Sequence, residues 1–428
     1  MSPERLVSVV GLGVVGLPTA ALLASAGHRV RGVDIDAALV ADLCAGRCER
    51  PEPGLAAAVA AAIASGRLTV ATDVAPANVH IVAVPTPVDA AHAPDLAMVE
   101  AAVLAIAPVL RAGDLVVIES TVPPGATARM AALLAAHAPV AAADILVAYS
   151  PERVLPGNAL AEIVANARVV GGITPDASAA AAALYRTFCV GEVVETDAAT
   201  AELVKLFENT WRDITIAAAN SFARIAAALG VDGRAAISLA NAHPRVAIPD
   251  PGPGVGGHCI PVDPWFLVAA APDDAALLVA ARAVNDGQPA RIAAWFAAAH
   301  APATGPVVVL GVAYKGGVDD VRESPALAVV ADLRARGYDV RLHDPYVHRL
   351  PGGEAVAADL RDAADGAIAA LVLTDHPAYR QLAPADLRAA GYRGALVHDA
   401  RGVLDAAAWQ PGGVAVVGLL QPAPEGAR

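Results

Sequence analysis

Apolar residues follow two spacings along this chain. Short runs rich in Val, Ile and Leu, most of them ending on Gly, Asp, Thr or Pro, fall at residues 5–10, 29–33, 80–84, 115–118 and 144–148, then 307–310, 339–343, 369–373 and 395–398. Continuous apolar runs of that length predict strands buried on both faces, as in a parallel sheet. Alanine-rich stretches between them carry apolar residues three and four apart and predict helices. The middle of the chain breaks this alternation. Residues 198–229 contain neither Gly nor Pro and predict one long helix. Lys205, Asn209 and Arg212 share one of its faces at i, i+4 and i+7, while Leu203, Leu206, Phe207 and Ile214 supply the core side. Residues 275–299 are helical again, and Ala301-Pro302-Ala303-Thr304-Gly305-Pro306 reads as a linker. The pattern predicts an α/β fold: two Rossmann-like, doubly wound parallel-sheet domains joined by a long central helix and a helical middle domain, divided as 1–197, 198–301 and 302–428.

The first strand runs into Gly11-Leu12-Gly13-Val14-Val15-Gly16, then a helix, then a second strand closed by Asp34, 18 residues past Gly16. Strand, G-x-G-x-x-G, helix, strand and acid at this spacing predict dinucleotide binding. The acid favours NAD over NADP, because it would repel a 2′-phosphate. Thr86, Thr121 and Glu152 follow the ends of later strands, which places them on the carboxyl edge where open sheets bind ligands. The second half lacks G-x-G-x-x-G but offers Lys315, Arg322 and Arg401, so an anion other than a dinucleotide is expected there.

Between the halves lies Pro251-Gly252-Pro253-Gly254-Val255-Gly256-Gly257-His258-Cys259, with Asp263 four residues on. Such a stretch is neither helix nor central strand. It predicts a rigid loop whose backbone can approach a ligand. Cys259 at its end is a candidate nucleophile, the alternative being an inert buried thiol. His258 is poorly placed as its base, since adjacent residues of an extended loop point apart.

Composition narrows the choices. The length suggests two or three domains, and a net charge of -13 without a basic run excludes nucleic acid as a partner. Four cysteines, Cys44, Cys48, Cys189 and Cys259, form neither a zinc set nor a disulfide framework, so no metal and a reducing, cytoplasmic setting are expected. Gly, Pro or charge interrupts every apolar stretch, which argues against a membrane span. Of 30 Lys and Arg residues only Lys205 and Lys315 are lysine. In that background a retained ammonium suggests a need for its shape or its proton.

An NAD unit, a cysteine loop, a Lys/Asn helix face and an anion-binding half together suggest a particular chemistry. Alcohol oxidation needs no cysteine. Aldehyde oxidation can use one: a thiolate adds to the carbonyl, hydride leaves to NAD, and water hydrolyses the thioester. A primary alcohol would then become a carboxylate at the expense of two NAD. Lys205 would act as acid/base and oxyanion stabiliser, with Asn209 donating to the same oxygen. Cys259 would be the nucleophile, Asp263 would orient Lys205 or water, and Glu152 and Thr121 would position the hydrolytic water. Two other classes remain open: a two-electron β-hydroxyacid dehydrogenase, which needs no Cys259, and a non-catalytic NAD-sensing protein.

These motifs, with Val84-Pro85-Thr86-Pro87, Glu119-Ser120-Thr121, Lys205-x-x-x-Asn209, Gly256-Gly257-x-Cys259-x-x-x-Asp263 and Lys315 through Arg322-Glu323-Ser324-Pro325, resemble the nucleotide-sugar 6-dehydrogenase family of UDP-glucose and GDP-mannose dehydrogenases. The resemblance covers nearly the whole chain. It implies NAD as cofactor and a UDP-sugar as substrate. Pro151-Glu152-Arg153-Val154-Leu155-Pro156-Gly157 carries Pro156 where the UDP-glucose type has a second glutamate, and resembles the N-acetylhexosamine branch. The implied substrate is UDP-N-acetyl-D-mannosamine and the implied product its uronate, with UDP-N-acetylglucosamine and UDP-glucose as alternatives. Arg153, Val154, Lys205, Asn209, Arg212, His243, Arg245, Gly256, Tyr314, Lys315 and Arg401 are implied contacts of the UDP-sugar. Gly11, Gly13, Val14, Val15, Gly16, Asp34, Thr86, Thr121 and Arg322 are implied contacts of NAD. Arg245 is implied to reach a neighbouring subunit's site, hence a homodimer or higher oligomer.

Overall fold

The computed structural model describes residues 4–50, 52–89, 92–154, 157–302 and 305–422. Leu155 and Pro156 of the Pro151–Gly157 motif, and Ala303 and Thr304 of the linker, lie outside them. The chain divides into two compact units, Met1–Glu208 with Trp265–Pro272, and Asn209–Pro264 with Asp273–Arg428.

The first unit is built on β1 (Leu6–Val10), β2 (Arg29–Val33), β3 (Leu68–Ala71), β4 (Val79–Val82), β5 (Leu115–Ile118), β6 (Leu146–Tyr149), β7 (Arg168–Gly172) and β8 (Val193–Asp197), in the order β3-β2-β1-β4-β5-β6-β7-β8. Alternate residues of the central strands feed separate cores on the two faces. Val7 and Val9 pack with Leu17 and Leu23, while Val10 and Val82 pack with Val99 and Val103. That is the doubly wound arrangement the apolar runs predict. Two features differ from a uniform parallel sheet. Edge strands β3 and β8 carry Thr and Glu and did not register as apolar runs, because an edge strand is half solvated. Strand β7 runs antiparallel to β6, with Ala148 opposite Gly172 and Tyr149 opposite Gly171. This register carries the start of β7 past the end of β6 and brings Arg168 alongside Glu152.

The second unit holds β9 (Val307–Leu310), β10 (Val340–His343), β11 (Ala369–Val372), β12 (Leu396–Asp399) and β13 (Ala415–Gly418), all parallel, in the order β10-β9-β11-β12-β13. Its first turn repeats that of the first unit. The Gly11 amide donates to the Val33 carbonyl and the Gly311 amide to that of His343, each at 2.8 Å. The Leu12 amide donates to Asp34 Oδ2 and the Val312 amide to Asp344 Oδ2, again at 2.8 Å. The acids then diverge. Asp34 is half-buried, whereas Asp344 is fully buried against His376 at 2.9 Å and cannot meet a ribose. Burial alone would raise the Asp344 carboxyl, but hydrogen bonds from His376 and the Val312 amide outweigh it and hold the group low.

The helix Ala198–Ala228 follows β8 in the chain. At 100° per residue, Lys205, Asn209, Asp213 and Asn220 fall within roughly 80° of one another. Lys205, Asp213 and Asn220 are buried. On the opposite face Phe207, Trp211, Phe222 and Ile225 are exposed. The amphipathic pattern is thus inverted: polar groups face inward and aromatics face out. The helical stretch expected at 275–299 is two helices, Ala276–Asp286 and Gln288–Ala297, parted at Gly287. No helix among the described residues is long and apolar enough to cross a membrane.

Two buried histidines weaken the fold on the acid side, against the buried Glu119 carboxyl, which burial raises to about 7 and which acts in the opposite sense. Burial pushes His80 down to about 4, and burial, aided by nearby His300, pushes His398 down to about 3, from the ordinary 6.5. Each stays neutral in the folded chain and takes up a proton on unfolding below that value. Their contribution is therefore complete above pH 6.5 and is lost as pH falls towards 4. Between pH 7.5 and pH 5 each histidine is expected to cost up to about 1.4 kcal/mol per pH unit below 6.5. Urea unfolding of the parent and of His398→Leu at both pH values reads that share: the variant should lose less stability on acidification than the parent, and an equal loss in both would contradict the account.

Candidate active site

In the first unit the three glycines of the β1 turn have separate reasons. Gly11 has φ +94°, and a Cβ on it would lie 2.5 Å from the Ala83 carbonyl oxygen. A Cβ on Gly16 would lie 1.8 Å from the Gly11 oxygen, so only glycine lets the helix pack there. A Cβ on Gly13 would meet nothing within 4 Å. Gly13 therefore opens space above the turn and serves no internal packing. The helix Gly16–Ser25 starts at Val15 without a side-chain cap, which leaves its first amides for an anion. Val14 and Val15 are half-buried beside it. Asp34 accepts from the Leu12 amide on one oxygen and the Asp36 amide on the other, and each oxygen keeps a lone pair. These residues fit a dinucleotide.

Thr86 and Thr121 are half-buried just past β4 and β5. The turn after Thr121 is pinned by Glu202, which accepts from the amides of Gly125 at 2.6 Å and Thr127 at 2.7 Å. Glu152 is buried and paired with Arg168 at 2.5 Å. Arg153 is committed to Glu208 at 2.5 Å and to the Ala167 carbonyl, and Val154 is half-buried. Lys205 is buried on the long helix, one turn after Glu202.

In the second unit, Asn209 donates to Asp263 Oδ2 at 2.6 Å. Asp263 opens the helix Asp263–Ala270 and is itself buried, so the Asn209 amide meets a carboxylate held in place. Arg212 is exposed.

The cysteine loop is fastened from several sides. The Gly252 amide donates to Asn220 Oδ1 at 2.9 Å, and its carbonyl accepts from Gln288 at 3.0 Å. Asn220 in turn donates to Asn285, and Asn285 and Arg282 both donate to Asp213. The Gly257 amide donates to the Arg322 carbonyl at 3.0 Å. A Cβ on Gly256 would lie 2.6 Å from the Glu323 oxygen and 2.7 Å from Tyr314 Cβ. Glu323 itself has φ 49°, uncommon for a residue with a side chain. Past Gly257 the chain turns, with the Val262 and Asp263 amides donating to the Cys259 carbonyl. Cys259 is half-buried and His258 exposed.

Around the loop, burial pushes the Tyr314 phenol up, and Asp320 and Cys259 add to the rise. Arg322, expected near a cofactor, sits in this unit. Its pairing with Asp320 at 2.6 Å raises its own value further. Arg401 pairs with Asp375 at 3.1 Å, and a Cβ on Gly252 would lie 2.6 Å from its Nη1. Lys315 is half-buried after β9, while His243 and Arg245 are exposed. Ser324 occupies the N-cap position of the helix Pro325–Ala335, but its hydroxyl donates to the Val312 carbonyl at 2.8 Å and caps nothing.

Sequence reasoning missed Arg168, Glu202, Asn220, Gln288 and Asp320. Asp213 and Asn220 carried a signal, since they continue the polar face begun by Lys205 and Asn209 into the apolar part of the helix. Arg168, at the head of a short strand, carried none.

Three family models match in succession: the UDP-glucose/GDP-mannose dehydrogenase family NAD binding domain at residues 5–189, its central domain at 199–287 and its UDP binding domain at 308–406. The chain is 45% identical over 392 residues to the NDP-N-acetyl-D-galactosaminuronic acid dehydrogenase of Ralstonia nicotianae, covering 88% of this chain and 92% of that one. It is 43% identical over 396 residues to the UDP-N-acetyl-D-mannosamine dehydrogenase of Escherichia coli K12, covering 87% and 94%. The solved UDP-D-ManNAc dehydrogenase of Pyrococcus horikoshii is similar at 38% identity with a TM-score of 0.90, covering 97% of this chain and 99% of that one.

The contrast between two glycines gives a test. Gly256→Ala should lower stability by about 1–3 kcal/mol, because backbone and Tyr314 must both shift. Gly13→Ala should leave stability within about 0.5 kcal/mol, having open space around it, yet weaken dinucleotide binding in a fluorescence titration. Equal melting temperatures for the two variants would contradict the assignment.

Proposed function

The chain belongs to the UDP-glucose/GDP-mannose dehydrogenase family and is an NAD-dependent nucleotide-sugar dehydrogenase, and we propose that it oxidises the C6 alcohol of UDP-N-acetyl-D-mannosamine to the carboxylate. The observation that carries the chemistry is the fastened glycine loop that ends in half-buried Cys259. A two-electron dehydrogenase has no use for such a device. When bound, NAD supplies the hydride acceptor, once for each of two oxidations.

In this proposal Lys205 takes the proton of the C6 alcohol in the first oxidation. Asn209, held by Asp263, donates to the same oxygen as charge gathers on it. The Cys259 thiolate then adds to the aldehyde, forming a carbon–sulfur bond, and the oxygen takes a proton to give a thiohemiacetal. Loss of a hydride and that proton leaves a thioester. Water, positioned by Glu152 and Thr121, adds to the carbonyl, the carbon–sulfur bond breaks, and the carboxylate and the thiol are restored. Lys315, Arg322 and Arg401 supply positive charge of the kind a diphosphate needs. Use of a thiolate fits a reducing cytoplasm.

The choice of sugar rests on the 43% identity to the mannosamine enzyme of E. coli and on the Pro151–Gly157 motif. A second reading, oxidation of an N-acetyl-D-galactosamine nucleotide, is favoured by the 45% identity to the Ralstonia enzyme. The protein is further proposed to be a homodimer or larger homo-oligomer. The exposed stripe Phe207, Trp211, Phe222 and Ile225 supports this, because aromatic and branched side chains spread over about five turns are costly to leave in water.

NADH yield with limiting UDP-N-acetylmannosamine, UDP-N-acetylgalactosamine, UDP-N-acetylglucosamine and UDP-glucose separates the readings. About two NADH per sugar are expected, with kcat/KM for the mannosamine substrate at least about tenfold above the others. Preference for the galactosamine substrate would establish the second reading, and one NADH per sugar would remove the four-electron chemistry. Light scattering is expected to give at least twice the monomer mass. Trp211→Glu with Ile225→Glu should halve it; a monomeric parent protein would end the oligomer proposal.

A further inference from the structure

Glu152 stands at the carboxyl edge of the first sheet with both carboxylate oxygens engaged. Oε1 accepts from the Arg153 amide at 2.7 Å and Oε2 from the Arg168 guanidinium at 2.5 Å. Both side chains are 4% exposed. Arg168 is itself held on three further sides. It donates to Ser150 Oγ at 3.2 Å, stands 3.5 Å from Glu119 Oε1, and lies 4.4 Å over the centre of the Tyr185 ring. The Tyr185 hydroxyl donates to Glu119 Oε1 at 2.6 Å and Thr19 to Oε2 at 3.4 Å. One guanidinium therefore faces two carboxyl groups, and all three side chains are buried. Burial pushes the Glu119 carboxyl up, Arg168 pulls it back, and Glu152 adds to the rise. The shorter contact of the guanidinium is the one to Glu152.

A buried ion pair of this kind contributes little to stability, and apolar groups of the same volume would serve as well. Two facts point away from a purely structural role. The pair lies where the strands of an open sheet meet their ligands. The reversed strand β7, the single antiparallel ladder of that sheet among the described residues, is what carries Arg168 there. A carboxylate offers about four acceptor positions, of which two are used here. The other two are available, and the clamp gives them a fixed direction.

We propose that Arg168 is a positioning residue for thioester hydrolysis, holding the Glu152 carboxylate so that its two remaining lone pairs seat the attacking water. This rests on the role given to Glu152 in the proposed function. Arg168 takes no part in bond making. Water adds to the thioester carbonyl, gives up a proton, and expels the Cys259 thiolate. Arg168 acts only through the orientation of the group that holds that water.

The test uses the full-length enzyme with Arg168→Met, Arg168→Lys and Glu152→Gln. Arg168→Met is expected to lower kcat by on the order of 10-fold or more, with KM for NAD and for UDP-sugar within about twofold. Acid-quenched protein should show an acyl-sugar adduct on Cys259 by intact mass, because hydrolysis has become the slow step. Arg168→Lys, which keeps the charge and loses the fork, should recover part of kcat. A thermal melt of each variant separates loss of fold from loss of turnover. If Arg168→Met melts early, the adduct on folded Arg168→Lys decides, and its absence at wild-type kcat overturns the inference. Glu152→Gln slow with Arg168→Met at wild-type kcat overturns it alone. Glu152→Gln at wild-type kcat overturns it together with the role assigned to Glu152.

Discussion

Everything proposed for this enzyme depends on how one glycine-rich loop is fastened to the second unit. A stretch of Gly and Pro has little intrinsic preference for a single shape, and fixing it costs conformational entropy. Here the amide and the carbonyl of Gly252 both end on buried side chains, Asn220 and Gln288. Leaving either group buried without a partner would cost about 1–3 kcal/mol. Four residues on, Gly256 lies flush against Tyr314 and Glu323, where a side chain would collide, and Gly257 follows against Tyr314 at φ +85°. Held at both ends, the loop delivers Cys259 to a turn that runs into the helix opened by Asp263. The same constraint explains the inverted long helix. Its inner face must carry Asp213 and Asn220 to hold the loop's supports, and Phe207, Trp211, Phe222 and Ile225 are left on the outer face.

The two sheets are variations on one turn. Each begins with a strand, a glycine at positive φ, and an acid that gathers the amide after that glycine. In the first unit Gly13 and the uncapped helix leave that turn open, and Asp34 stays half-buried. In the second, His376 seals Asp344 away, and cationic side chains take over. A small change in what meets the acid thus separates a dinucleotide turn from one suited to a nucleoside diphosphate. The first sheet departs from the repeat once, at β7, and that departure delivers Arg168 to Glu152.

What the sequence disclosed follows from how local each signal is. Central strands such as Leu115–Ile118 and Val307–Leu310 are buried on both faces, so their apolar runs stood out at the observed limits. The edge strands β3 and β8 are half solvated and blended with loops. The direction of β7 is a property of its pairing and leaves no mark on Arg168-Val169-Val170. Motif residues were legible one by one, because Gly11, Asp34, Lys205 and Cys259 sit at telling spacings. Their pairings were not. Asn209 meets Asp263 across 54 positions, and Ser324 at its N-cap position bonds the Val312 carbonyl, 12 positions back. Arg322 looked like a cofactor contact from its motif, and its place beside Asp320 and Tyr314 came from the fold.

The central claim is that Cys259 serves the second oxidation and that the first can proceed without it. The direct measurement supplies the 6-aldehyde of the UDP-sugar to a Cys259→Ala enzyme, once with NADH and once with NAD. The account predicts that the variant reduces the aldehyde to the alcohol at a rate near wild type and forms no uronate. Uronate produced by Cys259→Ala at the wild-type rate would contradict it.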